Sequence, residues 1–394
     1  MTVPLFTPFA LRGITLPNRI VIAPMCQYSA VEGSAQDWHL MHLGQLAMSG
    51  AGMLILEATA VSAEGRITPG CLGLYSDENE AALRRVVTAL RQITNMPIGI
   101  QIGHAGRKGS SGRPWERGQL IAADDRAREG WQPVAPSALA ITPDEAPPRA
   151  MTVAEIDQLV ADFVRTTERA QRIGFDAIEL HSAHGYLLHE FLSPVANQRN
   201  DEYGGGFENR VRLPLRIYDA VRAVWPAEKP LGVRISTTDW LENDSGSASS
   251  STSSNDSEFD QAKTWTPPQS VALARRLKAV GCDWIDCSSG GVSPKQQIKL
   301  GPGYQVPFSA RIRRETGVAT IAVGLITDPQ QANEIIATGE ADMVALARGM
   351  LYNPRWPWHA AAALGATVEG PRQYWRSTPR EAAQVLGQIV FGQR

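Results

Sequence analysis

The chain has 394 residues, 43% of them hydrophobic, which is enough to bury a large core; barrels of alternating strands and helices use this length as one domain once insertions are counted. A formal net charge of -2 offers no polyanion-binding surface, so nucleic acid is excluded as an expected partner. No run of 18 apolar residues and no basic-then-apolar leader occurs, and the four scattered cysteines (Cys26, Cys71, Cys282, Cys287) form no C-x-x-C pair, so a cytoplasmic enzyme off the membrane is expected.

In chain order, short runs rich in β-branched and apolar residues cover 18–25, 52–59, 97–104, 177–184, 231–236, 284–291, 318–325 and 342–349. Near-continuous apolar character over so few residues is what a parallel strand buried on both faces requires. Helical spacing separates them. It covers 79–94, then 152–173, where Thr152 and Glu155 form a capping box and Gly174 ends the pattern. It returns over 269–280, stopped by Gly281, and over 329–338, stopped by Gly339. Strands alternating with helices predict parallel βαβ units, and eight of them predict an α/β fold of the (β/α)8 TIM-barrel type, read as one domain over 1–394. Residues 105–150, rich in Gly, Pro and charge, read as a lid-like loop over the barrel mouth. Residues 243–258 are serine-rich and nearly free of apolar side chains, which predicts a disordered insertion after the fifth strand. Residues 352–394 read as a C-terminal extension.

Barrel chemistry belongs at the C-terminal ends of the strands. Polar and reactive residues crowd those ends: Met25 and Cys26, Gln101 and His104, His181 and His184, Arg234, Ser288 to Gly291, Gly324, and Arg348. The strand starts show no comparable cluster. Gly324 and Arg348 follow the seventh and eighth strands, where such barrels bind phosphate; the bland alternative is a turn glycine and a surface arginine. His181 and His184 suit an oxyanion-type donor pair, a metal site completed by Glu179, or a structural pair, and the rings converge only if the chain leaves the strand after His181. Tyr186 adds a phenol able to give a proton. Gln101 can pair with a pyrimidine-like ring edge, and Arg234 is either a stabiliser of charge on that ring or a buried ion-pair partner. Cys26 is either a buried filler or a site thiol.

These residues sit in motifs that resemble the old yellow enzyme family, in the thermophilic-like branch of bacterial enone and xenobiotic reductases. The motifs are N-R-I-V-I-A-P-M-C-Q-Y-S, E-A-T-A-V-x-x-E-G-R, Q-I-G-H-A-G-R-K, E-L-H-S-A-H-G-Y-L-L-H-E-F-L-S-P, S-S-G-G, V-G-L-I and A-L-A-R-G-M-L. The resemblance implies an FMN-binding barrel whose base is closed by an N-terminal hairpin within 1–17. Pro24, Met25 and Cys26 are then expected to line the flavin, Ala60 and Gln101 to contact its ring, and Arg234 to lie by its N1/O2 side. Gly324 and Arg348 are expected to hold the phosphate, with Ser289 and Gly290 near its tail. His181 and His184 resemble the pair that binds the substrate carbonyl, Tyr186 the proton donor to the α-carbon, and Tyr28 a substrate contact. Cys26, which tunes the flavin potential in this branch, stands where yeast-type members carry a hydroxyl residue. The implied cycle is ping-pong: NAD(P)H gives hydride to the flavin, which passes it to the β-carbon of an enone-type or nitroalkene substrate. A homodimer or homotetramer is expected, with Arg376 of R-Q-Y-W-R as a candidate donor to a neighbouring site. The alternatives are a metal-dependent barrel hydrolase using His181, His184 and Glu179, and a silent flavin-binding barrel. Nothing in the sequence chooses between NADH and NADPH.

Overall fold

The computed structural model describes residues 2–241 and 256–387. Eight parallel strands close into a barrel in chain order: β1 (Ile20–Ile22), β2 (Met53–Ala60), β3 (Ile98–Gly103), β4 (Ala177–Ser182), β5 (Leu231–Ser236), β6 (Trp284–Ser288), β7 (Ala319–Val323) and β8 (Met343–Leu346), with β8 returning to β1. Each expected run holds one of them, with β2 reaching one residue past its run, to Ala60. Side chains alternate between two apolar layers, as strands covered on both sides demand. Met53 and Ile55 point into the barrel with Val21, Ile321 and Met343. Leu54 and Leu56 point outward, to a layer shared with Leu83, Val87 and Phe163 of the surrounding helices.

The helices follow their end signals. Val153–Ile173 starts on the reciprocal Thr152 and Glu155 capping box and stops at left-handed Gly174. The helix expected over 79–94 begins two residues earlier, as Asp77–Arg91, because the Ser76 hydroxyl accepts the Asn79 N–H and acidic residues fill the first turn. Pro267–Ala279 and Pro329–Ala337 both open on proline, which the first helical turn tolerates.

At the base, Phe9–Leu11 and Ile14–Leu16 pair as an antiparallel hairpin, and Leu11 and Leu16 plug the barrel interior. The expectation that strand starts carry no polar cluster is overturned there. Asp176, Asp283 and Asp342 stand just before β4, β6 and β8, and each carboxylate accepts an N–H at the beginning of the preceding strand: Ile98 at 2.7 Å and Leu231 at 2.8 Å, the first residues of β3 and β5, and Thr320 at 3.0 Å, the second of β7. Each also pairs with an arginine, respectively Arg91, Arg12 and Arg313. Taken singly, an aspartate before a strand reads as turn chemistry; only the shared register of the three shows the clasp.

The C-terminal segment folds back so that the Val368 N–H donates to the Val385 carbonyl, and Val368, Val385 and Leu386 pack with Ala361, Phe6 and Trp358. Residues 105–150 are mostly irregular, with three short 3-10 turns and one parallel bridge, Val134–Ala135 with Arg149–Ala150. Residues 242–255, most of the serine-rich stretch, lie outside the described residues, and the stretch's last residues enter the short helix Asp256–Asp260. Among the described residues no helix is long and apolar enough to cross a membrane.

Candidate active site

The chain leaves β4 at Ser182 and turns sharply, with His184 at φ 61° and Gly185 at φ 71°. A side chain at Gly185 would start 2.1 Å from the Gly291 carbonyl oxygen, so the turn admits glycine alone. Four bonds hold it. The His184 N–H donates to Ser236 Oγ at 2.8 Å, the Gly185 N–H to His189 Nδ1 at 2.8 Å, the Tyr186 N–H to the Ala183 carbonyl, and Lys108 Nζ to the His184 carbonyl at 2.7 Å. His189 is itself buried against Asp239, 3.0 Å away.

The turn brings three rings together. Ring centres of His181 and His184 are 5.1 Å apart, those of His181 and Tyr186 4.9 Å, and those of His184 and Tyr186 6.4 Å, all edge-to-face. The Ala183 N–H donates to His181 Nδ1, so the neutral ring carries its proton on Nε2, which has no protein partner among the described residues. His184 Nε2 shares a 2.7 Å hydrogen bond with Ser288 Oγ. Burial, reinforced by the Arg234 charge, holds both imidazoles well below their ordinary pKa, so they are neutral donors at neutral pH. Burial also pushes the Tyr186 phenol well above its usual value.

One layer deeper, Glu179 accepts from Gln101 Nε2 at 2.9 Å and from Trp284 Nε1 at 3.0 Å. Burial and the nearby Asp286 charge raise its pKa. Both carboxylate oxygens are thereby engaged away from the histidines, which removes the third ligand that the hydrolase alternative requires. Arg234 lies 3.3 Å from Asp286, but the pair is misaligned for a hydrogen bond, and Arg234 Nε and both Asp286 oxygens are buried without partners. Buried charged groups without hydrogen bonds call for a partner, and a ligand at the barrel mouth would supply one.

The sequence model described as the NADH:flavin oxidoreductase / NADH oxidase family matches residues 4–366. The chain belongs to that family, the old yellow enzymes. It is 43% identical to an NADPH dehydrogenase of Geobacillus sp. over 94% of this chain and 98% of the relative. It is 44% identical to an NADH:flavin oxidoreductase of Gibberella zeae over 93% of this chain and 87% of the relative. Morphinone reductase superimposes with a TM-score of 0.72 at 28% identity, covering 96% of this chain and 92% of that one. The protein is an NAD(P)H-dependent FMN oxidoreductase.

The old yellow enzyme cofactor fits the groups at the barrel mouth. Gly324 follows β7 at φ 129°, and a Cβ there would stand 3.0 Å from Gln305 and 3.1 Å from the Tyr304 ring, leaving a cradle of backbone width. Ser289 donates to Gln305 at 2.6 Å, and Gly290 continues that loop. Arg348 opens the segment after β8, exposed and without an ion-pair partner among the described residues. A glycine cradle and an unpaired guanidinium suit a phosphate ester, and the open valence of Arg234 suits the polar edge of a ring.

The structure gathers all but one of the expected site residues at this one face. Pro24, Met25 and Cys26 follow β1, Ala60 ends β2, and Gln101 and Arg234 stand on β3 and β5. Tyr28, at φ 54°, meets Trp115 edge-to-face at 5.7 Å and shares with Tyr186 a vestibule of about 460 Å³. Arg376 is the exception: it lies on the turn Arg372–Ser377, whose Trp375 packs with Phe6 and Trp358 in the C-terminal cluster. Two residues escaped the sequence reading. Cys71 lines a pocket with His181 and Tyr186, accepts the Thr68 N–H at 3.3 Å, and neighbours Cys26, which lowers the Cys71 pKa and raises that of Cys26. Lys108 was visible only as the end of Q-I-G-H-A-G-R-K.

Proposed function

We propose that this old yellow enzyme is an ene-reductase acting on α,β-unsaturated carbonyl or nitro compounds, and the observation that carries the reading is the convergence of neutral His181, neutral His184 and Tyr186 on one point. FMN supplies the ring that carries hydride between NAD(P)H and substrate. His181 Nε2–H and a ring N–H of His184 donate to the substrate oxygen and stabilise the negative charge that grows there as the β-carbon is reduced. Tyr186 gives its hydroxyl proton to the α-carbon, and Tyr28 borders the substrate from the vestibule side. Arg234 and Gln101 meet the polar edge of the flavin, Pro24, Met25, Cys26 and Ala60 its ring, and Gly324, Arg348, Ser289 and Gly290 its phosphate. Residues 105–150 act as the lid of a single domain. The protein works in the cytoplasm as a homodimer or homotetramer in which Arg376 reaches a neighbour's mouth; its cysteines are all free.

The experiment is anaerobic. NADPH should bleach the flavin absorbance of the purified protein, and 2-cyclohexenone should restore it with stoichiometric cyclohexanone. Bleaching without recovery on cyclohexenone or on a nitroalkene would refute ene reduction while leaving the flavin enzyme intact.

A further inference from the structure

Lys108 enters the histidine–tyrosine cluster from a different loop, at the end of the turn Gly106–Lys108 that follows β3. Its Nζ donates to the His184 carbonyl at 2.7 Å and stands 5.6 Å from the centre of the Tyr186 ring. An ammonium is strongly hydrated, and placing it half-buried beside a phenol costs free energy that a purely structural anchor, such as a glutamine amide, would avoid. Burial lowers its pKa to about 8, against the pull of the Glu190 charge.

We propose that Lys108 is a positioning residue for proton transfer: it fixes the His184–Gly185 turn that aims Tyr186, and its charge stabilises the phenolate left when Tyr186 has given up its proton. The inference rests on the ene-reductase reading. In the step concerned, hydride has added to the β-carbon, the Tyr186 O–H bond breaks, a C–H bond forms at the α-carbon, and the phenolate then recovers a proton from water. A cation beside the ring lowers the energy of that phenolate and so of the transition state leading to it. The groups facing Lys108 are Arg107 on its own turn, Glu190 on the helix Leu187–Leu192, His181 on β4, His184 and Tyr186 after it, and Tyr28, Arg117 and Glu145 across the vestibule. The histidines are already neutral and Tyr186 is held high, so only Glu190, pushed up to about 8 by burial, changes charge in the same range.

The test is the rate at which 2-cyclohexenone reoxidises the NADPH-reduced holoenzyme, followed from acidic to alkaline pH. In the parent protein the rate falls as pH rises through about 8, where Lys108 loses its proton. Lys108→Met slows reoxidation roughly tenfold to a hundredfold at neutral pH and removes the alkaline fall. Lys108→Arg restores most of the rate and moves the fall beyond the lysine range, while Glu190→Gln keeps the fall. An unchanged rate and pH profile in Lys108→Met overturns the proposal. So does a fall that follows Glu190→Gln, or a loss of phenol binding that Lys108→Arg does not rescue, which marks an anchor alone. A parent protein that cyclohexenone does not reoxidise overturns ene reduction itself, before any variant is compared.

Discussion

The two ends of the barrel are made from the same strands and treat buried polar groups in opposite ways. At the base, Asp176, Asp283 and Asp342 each take a backbone N–H and an arginine, so charge and lone pairs are both used. At the mouth, Arg234 Nε, both oxygens of Asp286 and Glu190 Oε2 are buried without hydrogen-bond partners. Left-handed backbone does not distinguish the ends: it occurs at Tyr28 and His184 around the mouth and at Arg12 in the hairpin of the base. A hydroxyl, Thr320 Oγ1, is buried without a partner near the base as well, so the contrast is one of charged groups: hydrogen-bonded at the base, left without hydrogen bonds at the mouth. The difference separates stability from function within one fold: open valences on buried charged groups are what a ligand completes.

The largest effect expected of breaking this division is at the mouth. Tyr186→Phe should slow reoxidation by cyclohexenone about 10²- to 10⁴-fold, the usual contribution of a general acid, while reduction of the flavin by NADPH continues. Stopped-flow traces of the two half-reactions decide it; equal slowing of both would remove Tyr186 from the proton-donor role. His181→Ala should cost about 10²–10³ in kcat/KM and weaken the phenol charge-transfer band, because one of two oxyanion donors is gone. Its Tm should fall by a few degrees, since the Ala183 N–H loses its acceptor and a buried ring is removed, and recovery of that stability without recovery of rate in His181→Asn separates the two effects.

The base should answer in the reverse sense. Asp283→Asn keeps an acceptor for the Leu231 N–H but loses the charge that faces Arg12, whose side chain is 30% exposed. Discounted for solvent screening, that is about 1–2 kcal/mol, a Tm lowered by a few degrees, with kcat and KM as in the parent. A kinetic defect as large as the stability defect would show that the two ends are not separable.

Much of this division is legible in the sequence. Strands buried on both faces must print as short apolar runs, and all eight do. Reactive residues at the ends of those runs had to meet because a barrel puts all strand ends on one rim. The base clasps were legible too, in G-F-D-A-I, G-C-D-W-I and E-A-D-M-V, three aspartates at one register before alternate strands. What spacing cannot show is which loop residues meet across the mouth. Lys108 and His184 are 76 positions apart, and Ser289 finds Gln305 only because the segment before Val306–Thr316 folds back over β6. Those contacts are chosen by irregular backbone, which carries no period.

A smaller effect concerns pH. Burial raises the Glu190 carboxyl from an ordinary 4.5 to about 8. Below 4.5 both folded and unfolded chains hold this proton; between 4.5 and about 8 the unfolded chain has released it and the folded one has not, so stability falls as pH rises through that window. Tm of the holoenzyme should decline from mildly acidic to mildly alkaline pH, and Glu190→Gln should flatten the decline. A variant that keeps the parent's slope would place the titrating group elsewhere, with Glu57, pushed well up by burial, and Glu179, raised to about 7, as the next candidates.

The smallest effect is the one that tests whether the division holds between subunits. Arg376 lies on an exposed turn whose neighbour Trp375 packs with Phe6 and Trp358, so within its own chain it belongs to the C-terminal cluster and not to the mouth. If the proposed oligomer sets that turn against a neighbour's vestibule, the guanidinium meets Glu145 or the substrate there, and Arg376→Ala should raise KM for cyclohexenone a few-fold, as loss of a partly solvated charge contact does, with kcat and Tm unchanged. The same variant should sediment as the parent does, because a single exposed charge contributes little to subunit association. An unchanged KM would confine function to residues of one chain, and the C-terminal segment would then belong wholly to the stability end of the molecule.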